Sequence, residues 1–294
     1  MKTLRKTRHL PSAVEYTKSI DLGKSPRCWN DLTRSQLLFV CALFAKAKPI
    51  SNFLCRVAMK VYDLRLIKSI PAGEEEFFLF RKKRQRIILS ALQVDTLSRK
   101  LEWLTTESDL SVNKIPVIRV GLRKYYGPED KLFNLTFNEY QSAENYYLAF
   151  NKLREVKYLD MLVATLYRPR IKNLRGELRK PSFNGDIREP FNDYLTQRRV
   201  KKVSRLNIAY KWVVFQFFSG SVCHLQKTYS LVFQELGGSP DSLSKVYQQT
   251  MLIEYLKGEN INADPLKENV YQIMARFQRD RLRAQSLENI KKNV

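Results

Sequence analysis

The stretch "LDMLVATLYRPR", Leu159 to Arg170, decides how the chain is read. Leu159, Leu162, Val163 and Leu166 fall at i, i+3, i+4 and i+7, the spacing of one helix face. Ala164 is small enough to let a neighbouring helix come close. Pro169 closes the segment, because proline disfavours helical geometry in the residue before it. Arg168 then stands in the last turn, where a cation complements the helix dipole. The segment reads as a core helix with a charged exit.

The same period recurs on both sides. In "CWNDLTRSQLLFVCALF", Cys28 to Phe44, Thr33 and Gln36 have the spacing of a capping box, and Leu32 stands where it can staple onto Leu37. Leu37, Val40, Cys41 and Phe44 follow on one face, and after Pro49 a second helix carries Leu54, Val57, Ala58 and Val61. Ser90 with Gln93 and Thr136 with Glu139 repeat the capping box. The first of these starts a helix expected to run to about Leu104. The second starts an aromatic helix with Phe137, Tyr140, Ala143, Tyr147 and Phe150 on one side. Only "EEEFFLFRKKRQRIILS" breaks the pattern, and it predicts a β-hairpin, Glu76 to Phe80 and Arg86 to Leu89, with charges at the turn. "NKIPVIRVGLRKYYGPED" reads as an irregular or extended connector with a turn at Tyr125-Tyr126-Gly127-Pro128.

Beyond Pro169 the composition shifts. Residues 168–205 hold twelve Lys and Arg against four Asp and Glu, with Pro181, Gly185 and Pro190 interrupting regular structure. Then "LNIAYKWVVFQFF" is apolar nearly all round and therefore buried. A break is expected at Ser219-Gly220-Ser221, and a loop at Gly237-Gly238-Ser239-Pro240. Two last helices are expected near 242–257 and 265–292, the second with Val270, Ile273, Met274 and Phe277 on its core face. The resulting expectation is a mainly α protein in two halves with one small β-hairpin. It has a basic flexible arm at 1–27, an N-terminal helical domain at 28–167 with the hairpin near 76–89, a basic connector at 168–205 and a C-terminal helical domain at 206–294.

Bulk composition agrees with a helical globular chain. Of 294 residues, 44% are hydrophobic, and only 10 Gly and 11 Pro are present, which disfavours glycine-rich loop enzymes and many-turned β proteins. The net charge of +23 creates a field felt by any polyanion, so nucleic acid, an anionic membrane or an acidic protein are candidate partners. The N-terminus is basic without an apolar segment and does not read as a secretory signal. No apolar run approaches the roughly 20 residues that span a bilayer, so no membrane is expected. Cys28, Cys41, Cys55 and Cys223 form no CxxC and read as free thiols of a reducing compartment.

Catalytic motifs are absent from the sequence. There is no Walker A, G-x-S-x-G, H-E-x-x-H or G-x-G-x-x-G pattern. His9 and His224 are the only histidines, and His224 beside Cys223 makes no triad. Asp160, Glu177, Asp186 and Glu189 match no metal-site spacing. In "NGDIREPF" a turn with local ion pairs is the plainer reading. The expectation is a protein that is not an enzyme and carries no cofactor and no metal.

Two candidate surfaces follow. The polyanion-binding set is Arg81, Lys82, Lys83 and Arg84 at the hairpin tip, with Arg168, Arg170, Arg198, Arg199, Lys201 and Lys202 in the basic segment. Tyr125 and Tyr126 beside Arg123 and Lys124, and Tyr167 beside Arg168, are candidates for base stacking. The protein-binding set is an aromatic groove of Tyr140, Tyr146, Tyr147 and Phe150 near Leu162 and Leu166.

The wording of several segments resembles a family. Leu135-Thr136-Phe137 with Glu139, followed by Leu159, Leu162, Ala164, Leu166, Tyr167, Arg168 and Pro169, is similar to all-helical tail-module proteins of tailed phages. Trp29, Leu32, Thr33 and Gln36, together with "GDIREPF" and "FFSG", resemble helical proteins of Bacteroidetes phages and prophages. The resemblance covers about residues 27 to 220. It implies a phage morphogenesis protein, such as a tail-assembly chaperone that covers the apolar stripe of a long tape-measure-like helical partner. It places the protein in the cytoplasm of an infected or lysogenic bacterium, or in the virion. The chain is longer and far more basic than such chaperones. That leaves open the alternative of a nucleic-acid-binding or DNA-proximal virion protein.

Overall fold

The fold is that of a computed structural model, which describes residues 24–46, 50–72, 75–181, 183, 185–234 and 264–292. Most of the expected arm, the loop at Gly237 to Pro240 and the helix near 242–257 lie outside the described residues. The chain is mainly α, with ten α-helices and two small antiparallel sheets among the described residues. It divides into two compact units, one of residues 1–27 and 48–103, the other of 28–47 and 104–294.

The first unit pairs two helices with a three-stranded meander. α2 (Ile50–Val61) and α3 (Ala91–Arg99) contact each other, α2 also contacts β1, and α3 also contacts β2 and β3. The strands are β1 (Arg65–Ala72), β2 (Glu75–Lys82) and β3 (Gln85–Ser90), in that order. The expected hairpin is β2–β3, with Phe80 opposite Ile87 and both buried. β1 was not legible, and the reason is physical. It is an edge strand with Leu66 and Ile67 exposed, a register shift between Leu66 and Lys68, and Pro71 near its end. A strand without a buried face shows no alternation, and proline belongs at edges. Ser90 caps α3 with the reciprocal Gln93 bond, as its spacing predicts. α3 ends at Arg99, short of Leu104, and a 3-10 turn follows at Glu102–Thr105.

The second unit is built around one apolar helix. α8 (Ile208–Thr228) contacts α1 (Arg34–Phe44), α5 (Val156–Leu166) and α9 (Ser230–Gln234). Thr33 and Gln36 form the capping box that starts α1. α4 (Phe137–Leu153) and α5 form a helical hairpin closed by Arg154, which is left-handed at φ 57°. The short α6 (Leu174–Glu177), then α7 (Asp193–Val203) and the terminal α10 (Val270–Lys292) complete the helices. Val270, Ile273 and Met274 of α10 are buried as their spacing predicts. A two-stranded hairpin, β4 (Val117–Val120) and β5 (Arg123–Tyr126), occupies the expected connector. The segment 168–205, expected to join two halves, lies within this second unit.

Ser219-Gly220-Ser221 does not break the chain, because α8 runs through it. The glycine serves close approach instead: a Cβ at Gly220 would overlap the backbone of Asp109 and Leu110. All four cysteines are free, with Cys41 buried and the others half-buried. Among the described residues, no helix is long and apolar enough to cross a membrane.

Candidate polyanion-binding cleft

A buried charge cluster fixes the geometry of this unit. Thr136 caps α4 by accepting from the Glu139 amide, but the Glu139 carboxylate does not return the bond. It points inward, fully buried, and accepts from Arg168 at 2.9 Å and Arg188 at 2.9 Å. Asp186 closes the cluster, 2.8 Å from Arg188 Nε and 3.2 Å from Arg168 Nη2. Two guanidiniums and two carboxylates therefore neutralise each other out of water, the condition for burying charge. Burial pushes the Glu139 carboxyl above its usual range although both arginines pull it down. Burial lowers the Arg168 pKa, whereas for Arg188 the two carboxylates outweigh burial and raise it.

The cluster anchors two walls. Arg168 lies just past the end of α5, not in its last turn, and its backbone pairs with Tyr126 in both directions, at 2.8 and 3.0 Å. That bridge fastens β5. Gly127 follows, so close to Tyr167 that a Cβ would fall 2.6 Å from the ring. α7 is tied to α5 by Arg199, whose Nε donates to the Ala164 carbonyl at 3.1 Å. Lys211 at the start of α8 is buried, paired with Asp160 at 2.6 Å and donating to the Ser204 carbonyl at 3.0 Å. This last bond holds the α7–α8 turn.

Between these walls lies an open cleft of about 1110 Å³. Arg119, Arg123 and Lys124 reach it from the β4–β5 hairpin, Lys202 from the end of α7, Arg205 from the turn after it, and Arg34 from the start of α1. All six are exposed, and none makes an ion pair among the described residues. Among the described residues no carboxylate lines the cleft, while the half-buried Tyr126 and Tyr210 do. The hairpin tip is Gly121-Leu122, with positive φ only at Gly121, the position where a type II′ turn requires glycine. One-signed charge in a concave surface focuses the field on an incoming anion.

Several expected site residues fall elsewhere. Arg168 and Arg199 are buried, 2% and 6% exposed, and are spent on internal carboxylate and carbonyl partners, so they cannot grip a polyanion. Arg170, Arg198, Lys201 and Lys202 are exposed, and Lys202 lines the cleft. Arg81, Lys83 and Arg84 are exposed at the β2–β3 turn of the first unit, with Lys82 half-buried. Of the stacking candidates, Tyr125 and Tyr167 are buried.

The aromatic groove is not open. α8 fills it: Tyr140 packs on Phe218, Tyr147 on Phe215 and Phe218, and Phe150 on Trp212 and Phe215, at centroid distances of 4.9 to 6.1 Å. Leu162 and Leu166 are fully buried. Tyr146 is half-buried. The stripe is core because α8, apolar all round, needs a partner on each side.

Of the acidic residues considered for a metal, Asp186 is engaged by two arginines, Asp160 by Lys211 and Glu177 by Lys180. Among the described residues no group of three or more His, Cys, Asp or Glu is placed to hold a metal ion. The cleft residues Arg119, Arg34 and Arg205 were missed as a site because they come from three separate segments. Comparison with known protein families, curated proteins and solved structures returned no match.

Proposed function

We propose that the protein binds nucleic acid, without catalysing a reaction on it, through the cleft between the β4–β5 hairpin and the α7–α8 turn. One observation carries this reading: six cations without an ion-pair partner among the described residues converge on one concavity that no described carboxylate enters. The phosphate backbone is a polyanion that several separated cations can neutralise together, and neutralising it releases counterions. The motif resemblance supplies a setting, a component of phage morphogenesis that works beside nucleic acid.

The test is the salt dependence of binding by the full chain. Six neutralised phosphates give a slope of log Kobs against log salt of about −4 for a single strand or about −5 for a duplex. Between 50 and 200 mM salt the single-strand affinity then falls by roughly 300-fold. Lys202→Ala with Arg205→Ala should lower the slope magnitude by about 1.4 to 1.8. Unchanged binding and slope in that double variant would sink the cleft reading.

A second reading keeps the assembly-factor role and moves its surface. On α10, Leu282 and Leu287 are exposed and line an open cavity of about 660 Å³ beside Tyr229. A tape-measure-like helix with an apolar stripe fits there, not against the filled groove of Tyr147 and Phe150. Capture of such a helix that survives high salt in the wild type and is lost in Leu282→Ser with Leu287→Ser would support this reading. Capture unaffected by those changes would end it.

A further inference from the structure

The outward face of α7 is not used up by the cleft. Tyr194, Arg198, Lys201 and Lys202 stand at i, i+4, i+7 and i+8, one side of α7, and Arg205 follows in the turn after it. The opposite side, Thr196, Arg199 and Val203, is buried. So the helix is clamped on one face and presents a cationic row on the other. The row begins with an aromatic ring: Tyr194 is 69% exposed, and the Arg198 guanidinium lies 5.8 Å from its centroid. It ends at the cleft, where Lys202 and Arg205 meet the half-buried Tyr126 and Tyr210.

Size favours one form of nucleic acid. A cleft of about 1110 Å³ is close to the roughly 300–1,000 Å³ of sites that enclose one small molecule. It admits a few nucleotides of one strand. A single strand, narrower than a duplex whose major groove alone is about 12 Å wide, is the form that suits a concavity of this size. Cations that follow a backbone, interrupted by rings on which bases stack, are the composition of a single-strand track. From Tyr194 to Lys202 the helix rises about 12 Å, the length of about three to four stacked nucleotides at ~3.4 Å each.

We propose that the protein takes single-stranded nucleic acid along α7 into the cleft, with phosphates on Arg198, Lys201, Lys202 and Arg205 and a base stacked on Tyr194. The proposal rests on the cleft reading above.

Fluorescence anisotropy of the full chain tests it, using three probes: an eight-nucleotide oligothymidylate, an abasic strand of equal length and charge, and a hairpin duplex. The base-bearing strand should bind about tenfold or more tighter than either of the others at the same salt. Tyr194→Ser should weaken that strand about tenfold and leave the abasic strand unchanged. Tyr194→Phe, which keeps the ring, should match the wild type. Because Tyr194 is exposed, both variants should melt as the wild type does. Equal affinity for the abasic strand, duplex affinity that equals or exceeds the single strand, or an inert Tyr194→Ser would each overturn the single-strand proposal. Loss of all binding in Lys202→Glu with Arg205→Glu, accompanied by any of those results, would leave the cleft reading standing alone. If that charge reversal changes nothing, the cleft reading fails first.

Discussion

Replacing Glu139 by Gln removes one negative charge from a cluster of two arginines and two carboxylates while conserving shape. Glu139 is fully buried and Arg168 and Arg188 are each 2% exposed, so water cannot compensate. Arg168 loses its 2.9 Å partner and keeps only the 3.2 Å contact to Asp186, which Arg188 already holds at 2.8 Å. Breaking a buried pair from one side costs about 3–5 kcal/mol, because a charge is left uncompensated. For a unit of about 200 residues, each kcal/mol moves Tm by roughly 2–4 °C, so the fall is on the order of 10 °C. Urea denaturation followed by tryptophan fluorescence measures this, with thermal melts as a second readout. The companion variant Glu139→Met with Arg168→Met restores neutrality, leaving Arg188 paired to Asp186. It should be more stable than Glu139→Met alone by at least 1 kcal/mol, since removing both members of a buried pair is often near neutral. A Glu139→Gln protein within 1 kcal/mol of the wild type, or a double variant at or below the single one, would refute the argument that neutrality holds this cluster.

Two further outcomes follow from particular contacts. Gly220→Ala should destabilise by about 2–3 kcal/mol in chemical denaturation, because the new methyl overlaps the Asp109–Leu110 backbone. Helix propensity alone predicts the opposite, a gain of about 1 kcal/mol, so the sign decides between close approach and a helix defect. Tyr271 donates to the Lys131 carbonyl at 2.6 Å, and burial, then Tyr229, pushes its phenol up to about 12. The folded state thus holds this proton more tightly than the unfolded chain, which releases it near pH 10. Its stabilisation is complete below about pH 10 and is lost as pH rises through 12. The Tm advantage of the wild type over Tyr271→Phe should therefore shrink between those values, and a constant gap would contradict the assignment.

Much of the fold was legible because local signals agreed with the final packing. The capping boxes at Thr33 and Ser90 form as spaced, and the 3.6-residue stripes of α1 and α5 are the buried faces. Legibility failed where a tertiary partner overrode a local signal. The Glu139 side chain left its cap for two arginines 29 and 49 residues away in sequence. Tyr140, Tyr147 and Phe150 have the look of a groove until a second apolar helix is laid on them. A one-dimensional pattern shows that a face is apolar, not who covers it. Charge density behaved likewise. The segment 168–205 is basic, but Arg168, Arg188 and Arg199 turn inward, and the exposed cleft recruits Arg34, Arg119, Arg123 and Lys124 from outside it.

The stretch that opened the sequence reading now has a physical role. Three short phrases of the sequence, Thr136 to Glu139, Tyr167 to Pro169 and Asp186 to Glu189, meet at one buried cluster. Tyr167 itself is buried, its hydroxyl donating to the Ile115 carbonyl at 2.8 Å, just before β4. Those phrases specify how α4, α5, β5 and the 186–189 turn are locked together. The six cleft cations lie outside these three phrases, on surfaces the lock holds in place. Changes in the cluster should therefore lower stability and binding together, whereas changes at Lys202, Arg205 or Tyr194 should alter binding at constant stability. A cluster variant that melted early yet bound normally at low temperature would separate the lock from the cleft, and would show that β5 and α7 keep their places without it.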